Sequence, residues 1–235
     1  MNSYRKTAII VGALYLISYV GVFAGAALVE PVLSGPDILA NVYPNRSQLV
    51  LGVLVELVNA IAVIGIGALL FPVLKRQDEG LALGYAGVRI VEGIASVLVS
   101  VSVLPLIDLS REYIAGGADP ASLQAAGAFA LAQRHWASDL LLLVFFALGA
   151  LILYTLLYQS RLLPRFIPIW GFIAVAMVVA GNLLPVPGME EGFHPAQLLF
   201  FPIILNELFL AVWLIVKGFR SPEPATGRLE PAAQF

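Results

Sequence analysis

Residues 48–74 read QLVLGVLVELVNAIAVIGIGALLFPVL. A helix over this stretch rises about 1.5 Å per residue and reaches roughly 40 Å, more than the ~30 Å hydrocarbon core of a bilayer. A helix on a soluble surface carries apolar residues on one stripe and charges on the other. This stretch is apolar on every face, and its one ionisable side chain is Glu56. It reads as a spanning helix, because hydrocarbon offers no partner for free backbone groups and only helices and closed barrels satisfy them all.

Working outward, five more segments have the same character: 7–28, 81–106, 136–159, 166–185 and 197–217. Breakers separate them, such as Pro31, Gly35 and Pro36 after the first, and Pro185, Pro187 and Gly188 after the fifth. The first segment carries Arg5 and Lys6 before it, as a signal peptide would. Its 22-residue apolar run exceeds a usual signal core, so it reads as a first spanning helix. The whole chain of 235 residues is 60% hydrophobic and 12% charged, with a mean hydropathy of +0.93. A soluble domain averages about 25% charged residues. These figures exclude a disordered chain, a basic nucleic-acid binder and an ordinary soluble enzyme. The sequence has no cysteine and two histidines, His135 and His194, which excludes thiol chemistry and a three-histidine zinc site.

Lysine and arginine set the orientation. With the N-terminus inside, nine of the thirteen fall in inner segments: Arg5, Lys6, Lys75, Arg76, Arg161, Arg165, Lys217, Arg220 and Arg228. Arg46, Arg111 and Arg134 fall outside among mostly acidic loops, and Arg89 lies in a span. The expected fold is therefore an all-α bundle of six transmembrane helices, N-in and C-in, forming one domain over residues 1–219. Residues 220–235, rich in proline and glycine, read as a disordered cytoplasmic tail. The longest connection is 107–135. Asp119-Pro120 marks a helix start there, so 121–134 reads as an outer helix, lying on the interface or extending the fourth span outward. No internal repeat of the kind that builds many transporters is evident.

The polar residues inside the spans point to function, since an ionisable group at bilayer depth costs about 2.5–3.5 kcal/mol on insertion scales. Glu56 and Asn59 stand three apart in span two, as do Arg89 and Glu92 in span three. Tyr85, Ser96 and Ser100 continue the latter stripe on one helical face. His135 and Asp139 stand four apart at the start of span four, and span six carries Asn206 and Glu207. Tyr15 and Tyr19 face the same way in span one. Glu56 lies about 12 Å and Glu207 about 15 Å below the outer ends of their spans, with Glu92 near the midplane. These overlapping depths point to one interior cavity open to the outside. It would be lined by Glu56, Asn59, Arg89, Glu92, His135, Asp139, Asn206 and Glu207. If Arg89 pairs with Glu92, at least two carboxylates lack a partner. Desolvation would then favour their protonated form; otherwise they bind a cation, an amine or a metal, or hydrogen-bond a polar head group. A structural reading stands beside each: Arg89–Glu92 as a packing ion pair, Asn59, Ser96 and Asn206 as interhelical hydrogen bonders, and glycines such as Gly65, Gly67, Gly84 and Gly87 as close-packing surfaces.

The blocks Leu69–Lys75, Glu79–Tyr85, Arg89-Ile90-Val91-Glu92-Gly93, Ser160–Arg165 with Trp170-Gly171, and Glu207 with Val212–Phe219 resemble a widespread bacterial membrane family catalogued only as a domain of unknown function. The resemblance implies a multi-span protein of the bacterial inner membrane. It implies no activity, cofactor or catalytic residue. Neither a nucleophile elbow, a phosphate loop, a dinucleotide fingerprint nor His-Glu-x-x-His occurs. The expected function is binding of a small-molecule or lipid-like ligand, with membrane lipids as neighbours, no nucleic-acid partner and no assigned cofactor. Two alternatives are an enzyme acting on a lipid-soluble substrate by carboxylate acid–base chemistry and a proton- or cation-coupled transporter. A carboxylate-rich metal site from Glu56, Glu92, His135, Asp139 and Glu207 is a further chemical option.

Overall fold

A computed structural model describes residues 3–183 and 195–220. Among them every regular element is helical: α1 (Ser3–Leu33), α2 (Ile38–Val42), α3 (Arg46–Leu74), α4 (Glu79–Val101), α5 (Pro105–Ala115), α6 (Pro120–Trp136), α7 (Leu143–Ser160), α8 (Phe166–Leu183) and α9 (Phe201–Val216). A π-helical segment, Ala137–Leu142, joins α6 to α7, and a 3₁₀ segment, Pro195–Phe200, precedes α9. Six helical stretches are long and apolar enough to cross a membrane, as the sequence predicts. Their outward faces are apolar: Val20, Ile61, Leu83, Ile173 and Val212 are exposed, the inverse of a soluble surface. His194 and, beyond Arg220, the tail lie outside the described residues.

Helices α1, α3, α4, α7, α8 and α9 pack in that order into a closed ring, with α9 returning to α1. One end of the ring is basic. There the Arg5 guanidinium donates to the carbonyls of Leu214 (3.1 Å), Ile215 (2.6 Å) and Val216 (3.2 Å), satisfying the unpaired last turn of α9. Arg76 lies over the Tyr4 ring at 4.9 Å, and the Arg220 amide donates to Leu162 O at 2.9 Å. The basic segments thus gather at the end that the positive-inside rule assigns to the cytoplasm.

The opposite end carries a cap. The connection between the third and fourth spans holds a helix that the sequence reading passed over, α5, with Pro105 in its first turn. Asp119 caps α6 by accepting from the Ser122 amide and hydroxyl, and these bonds hold its carboxyl below the usual aspartate range. Of the two placements open for the outer segment, the structure has the extension. Residues 120–160 form one helical stretch of 41 residues, about 60 Å long, so roughly half projects beyond the hydrocarbon. Val29, Val32, Leu39, Leu49, Leu106 and Leu123 form a separate small core in this cap. The larger core, including Leu74, Tyr85, Tyr154, Leu157, Ile167 and Leu214, fills the basic half. The polar residues lie in between.

Candidate functional site

On α4 the stripe Arg89, Glu92, Ser96 and Ser100 is buried. Ser96 Oγ donates to Glu92 O (3.1 Å) and Ser100 Oγ to Ser96 O (3.0 Å), so these hydroxyls satisfy themselves on their own helix. Arg89 Nη1 donates to both oxygens of Glu92, at 3.0 and 2.9 Å, within one helical turn. The guanidinium also sits about 6 Å from the Tyr15 and Tyr85 ring centroids, at 6.0 and 5.9 Å, a cation–π arrangement. Gly67 makes room for this side chain: a Cβ there would stand 2.7 Å from Arg89 Cβ.

A second ion pair lies nearer the cap. Arg134 of α6 reaches across to α3, with Nη2 to Glu56 Oε1 at 2.8 Å and Nη1 to Oε2 at 3.3 Å. Nη1 also donates to Val99 O of α4 at 2.9 Å, and Glu30 of α1 stands 3.6 Å from Nη2. Arg134 therefore ties the projecting helix to three others. The sequence places Arg134 at the end of the outer helix and names no partner for Glu56; the fold pairs the two. Continuing the helix inward from Asp119 places Arg134 one turn above Ser138, and that was the available signal.

Glu207 is different. It is 7% exposed, and its Oε2 accepts a hydrogen bond from the Tyr19 hydroxyl at 2.7 Å. Among the described residues no lysine, arginine or histidine nitrogen lies within 4 Å of it, and no donor reaches Oε1. Its neighbour Asn206 points elsewhere: Tyr154 Oη donates to Asn206 Oδ1 at 2.8 Å, and Asn206 Nδ2 donates to Ile167 O at 3.0 Å. Asn206 joins α7, α8 and α9 and does not line the cavity. His135 also falls outside the cavity wall. Its side chain is exposed and its Nε2 is 3.7 Å from Asp139 Oδ2, too far for a hydrogen bond.

What the structure does bring together is a cavity of about 360 Å³ at the centre of the ring. All six spanning helices contribute polar groups: Tyr15, Ser18 and Tyr19 from α1, Asn59 from α3, Arg89, Glu92 and Ser96 from α4, Ser138 and Asp139 from the segment before α7, Asn182 from α8 and Glu207 from α9. A neighbouring cavity of about 170 Å³ contains Glu56 and Arg134 and shares Asn59, Ser96 and Ser138 with the first. Ser18, whose hydroxyl donates to Asn59 Oδ1, and Asn182 carry no charge or spacing that singles them out in the sequence. The π-helical turn, a feature often found at functional sites, is what presents Ser138, Asp139 and Leu142 to the cavity. Asp139 is half-exposed, at its rim. With Glu56 on Arg134 and Glu92 on Arg89, no three carboxylate or histidine groups among the described residues are grouped to hold a metal ion, which overturns the five-residue metal option. A Cβ added at Gly84 or Gly87 would meet no other part of the protein within 4 Å, so these two glycines are not close-packing contacts between helices.

Fold and cavity together define a multi-pass helical membrane protein with a buried polar chamber. The chain belongs to the family described as Domain of unknown function (DUF4386), whose model matches residues 10–218. Comparison with curated proteins gives no match, and comparison with solved structures gives none.

Proposed function

We propose that the protein binds a small-molecule or lipid-like ligand in the chamber enclosed by its six spanning helices, in the bacterial inner membrane, with the opening on the outer face. The supporting observation is the space itself. Buried polar networks that only join helices are close-packed, as at Asn206. Here the polar groups surround about 360 Å³, within the ~300–1,000 Å³ range of ligand pockets. The chamber is amphipathic, with Val22, Val63, Leu142, Phe146, Val178 and Ile203 as apolar walls beside the polar groups. The half-exposed Asp139 lies on the cap side, away from the basic end, which favours outward access.

The test is native mass spectrometry of the protein released from lipid nanodiscs, comparing the natural chain with Ser138→Trp, which fills the chamber. A retained small molecule or lipid in the natural chain that Ser138→Trp loses is the expected outcome. Equal retention by both, or none by either, rejects the reading.

A further inference from the structure

The charges around the chamber specify its ligand further, on the footing that the chamber is a binding site. Arg89 is the sole fixed cation in its wall among the described residues, and its Nη1 is held by both oxygens of Glu92. The neighbouring cation, Arg134, is held by Glu56. Two carboxylates are left over. Asp139 sits half-exposed at the rim. Glu207 sits deep, with one oxygen bonded to the Tyr19 hydroxyl and the other to nothing among the described residues. Its side chain lines the chamber. An anionic ligand would face the Glu207 and Asp139 carboxylates, with the one arginine of the wall already held by Glu92; a neutral one would bring Glu207 no ion-pair partner.

The rest of the wall suits a cation. Tyr19 stacks on Phe23 at 5.9 Å between ring centroids. With Tyr15, Phe146 and Phe200 it lines the chamber with aromatic side chains, which attract cations through their ring faces. We infer that the chamber takes a lipophilic organic cation, an ammonium head on an apolar body. Glu207 is its counter-ion, and the Val63, Leu142, Val178 and Ile203 side chains hold the body. Asp139 at the rim draws the same charge inward.

Three matched probes test this: 4-phenylbutylamine as its ammonium ion, 4-phenylbutan-1-ol and 4-phenylbutyrate. Each is titrated into phosphatidylglycerol nanodiscs holding the protein, and binding to empty nanodiscs is subtracted. The natural chain binds the amine more tightly than the alcohol by roughly 10- to 100-fold, the range for hydrogen bonds to charged groups, and the butyrate more weakly than either. Glu207→Gln abolishes the preference and leaves alcohol binding unchanged. If the Gln variant fails to fold, Glu207→Asp gives the answer: it draws the carboxylate back by one methylene and weakens amine binding while alcohol binding holds, and amine binding equal to that of the natural chain overturns the assignment. Asn206→Leu, beside Glu207 but outside the chamber, keeps the preference. Competition by added phosphatidylethanolamine places the ammonium on a lipid head group, and lack of competition places it on a free amine. Alcohol binding equal to amine binding, or a preference that survives Glu207→Gln, overturns the cation assignment while the chamber stands as a binding site. No binding of any probe overturns both.

Discussion

Arg134→Leu is the perturbation with the clearest magnitude. It removes the cation that holds Glu56 at 2.8 and 3.3 Å and the bond to Val99 O. The two side chains are 14% and 10% exposed, so little solvent screens the pair. The carboxylate is left behind between α1, α3 and α4, where Gly25 packs so closely that a Cβ there would stand 2.5 Å from Glu56 Cγ. Breaking a buried pair on one side costs about 3–5 kcal/mol, whereas replacing both partners by apolar groups is often close to neutral. At roughly 2–4 °C per kcal/mol for a chain of this size, Arg134→Leu lowers the melting temperature by roughly 6–20 °C. The double variant Glu56→Met/Arg134→Leu recovers most of that loss. The assay is thermal unfolding of the four proteins of the double-mutant cycle in one detergent. An ordinary interhelical hydrogen bond in a membrane averages about 0.6 kcal/mol. A loss no larger than that for Arg134→Leu, or a double variant as unstable as the single, refutes the claim that a desolvated ion pair anchors the projecting helix.

Three other outcomes follow from particular contacts. Gly67→Ala drives a Cβ against Arg89 and costs about 1–3 kcal/mol; Gly84→Ala and Gly87→Ala, which meet nothing within 4 Å, are neutral or gain up to about 1 kcal/mol in helix propensity, all read from melting temperatures. Asn206→Leu leaves the Tyr154 hydroxyl and the Ile167 carbonyl unpaired and lowers stability by about 1–3 kcal/mol, while amine binding in the titration above changes less than twofold. Because the chain has no cysteine, single cysteines report orientation directly: Gly117→Cys reacts with an impermeant maleimide on intact cells and Gln77→Cys only after permeabilisation, and the reverse pattern refutes the N-in topology.

The sequence by itself determined the class of fold. Length and hydropathy act locally, and a run such as 48–74 has only one stable form in hydrocarbon, whatever surrounds it. Pairing within one helix was also legible, because Arg89 and Glu92 stand one turn apart and meet without help from any other segment. Tertiary structure decided which carboxylate is left without a cation. Glu56 and Glu207 look alike in sequence, each a single acid within an apolar span. Glu56 meets an arginine 78 positions away, and Glu207 meets a tyrosine 188 positions away. Likewise nothing in the order of Asn206-Glu207 tells which of two adjacent side chains faces the chamber. That depends on how α9 is rotated against α1 and α8, and the rotation is set by packing over the whole ring.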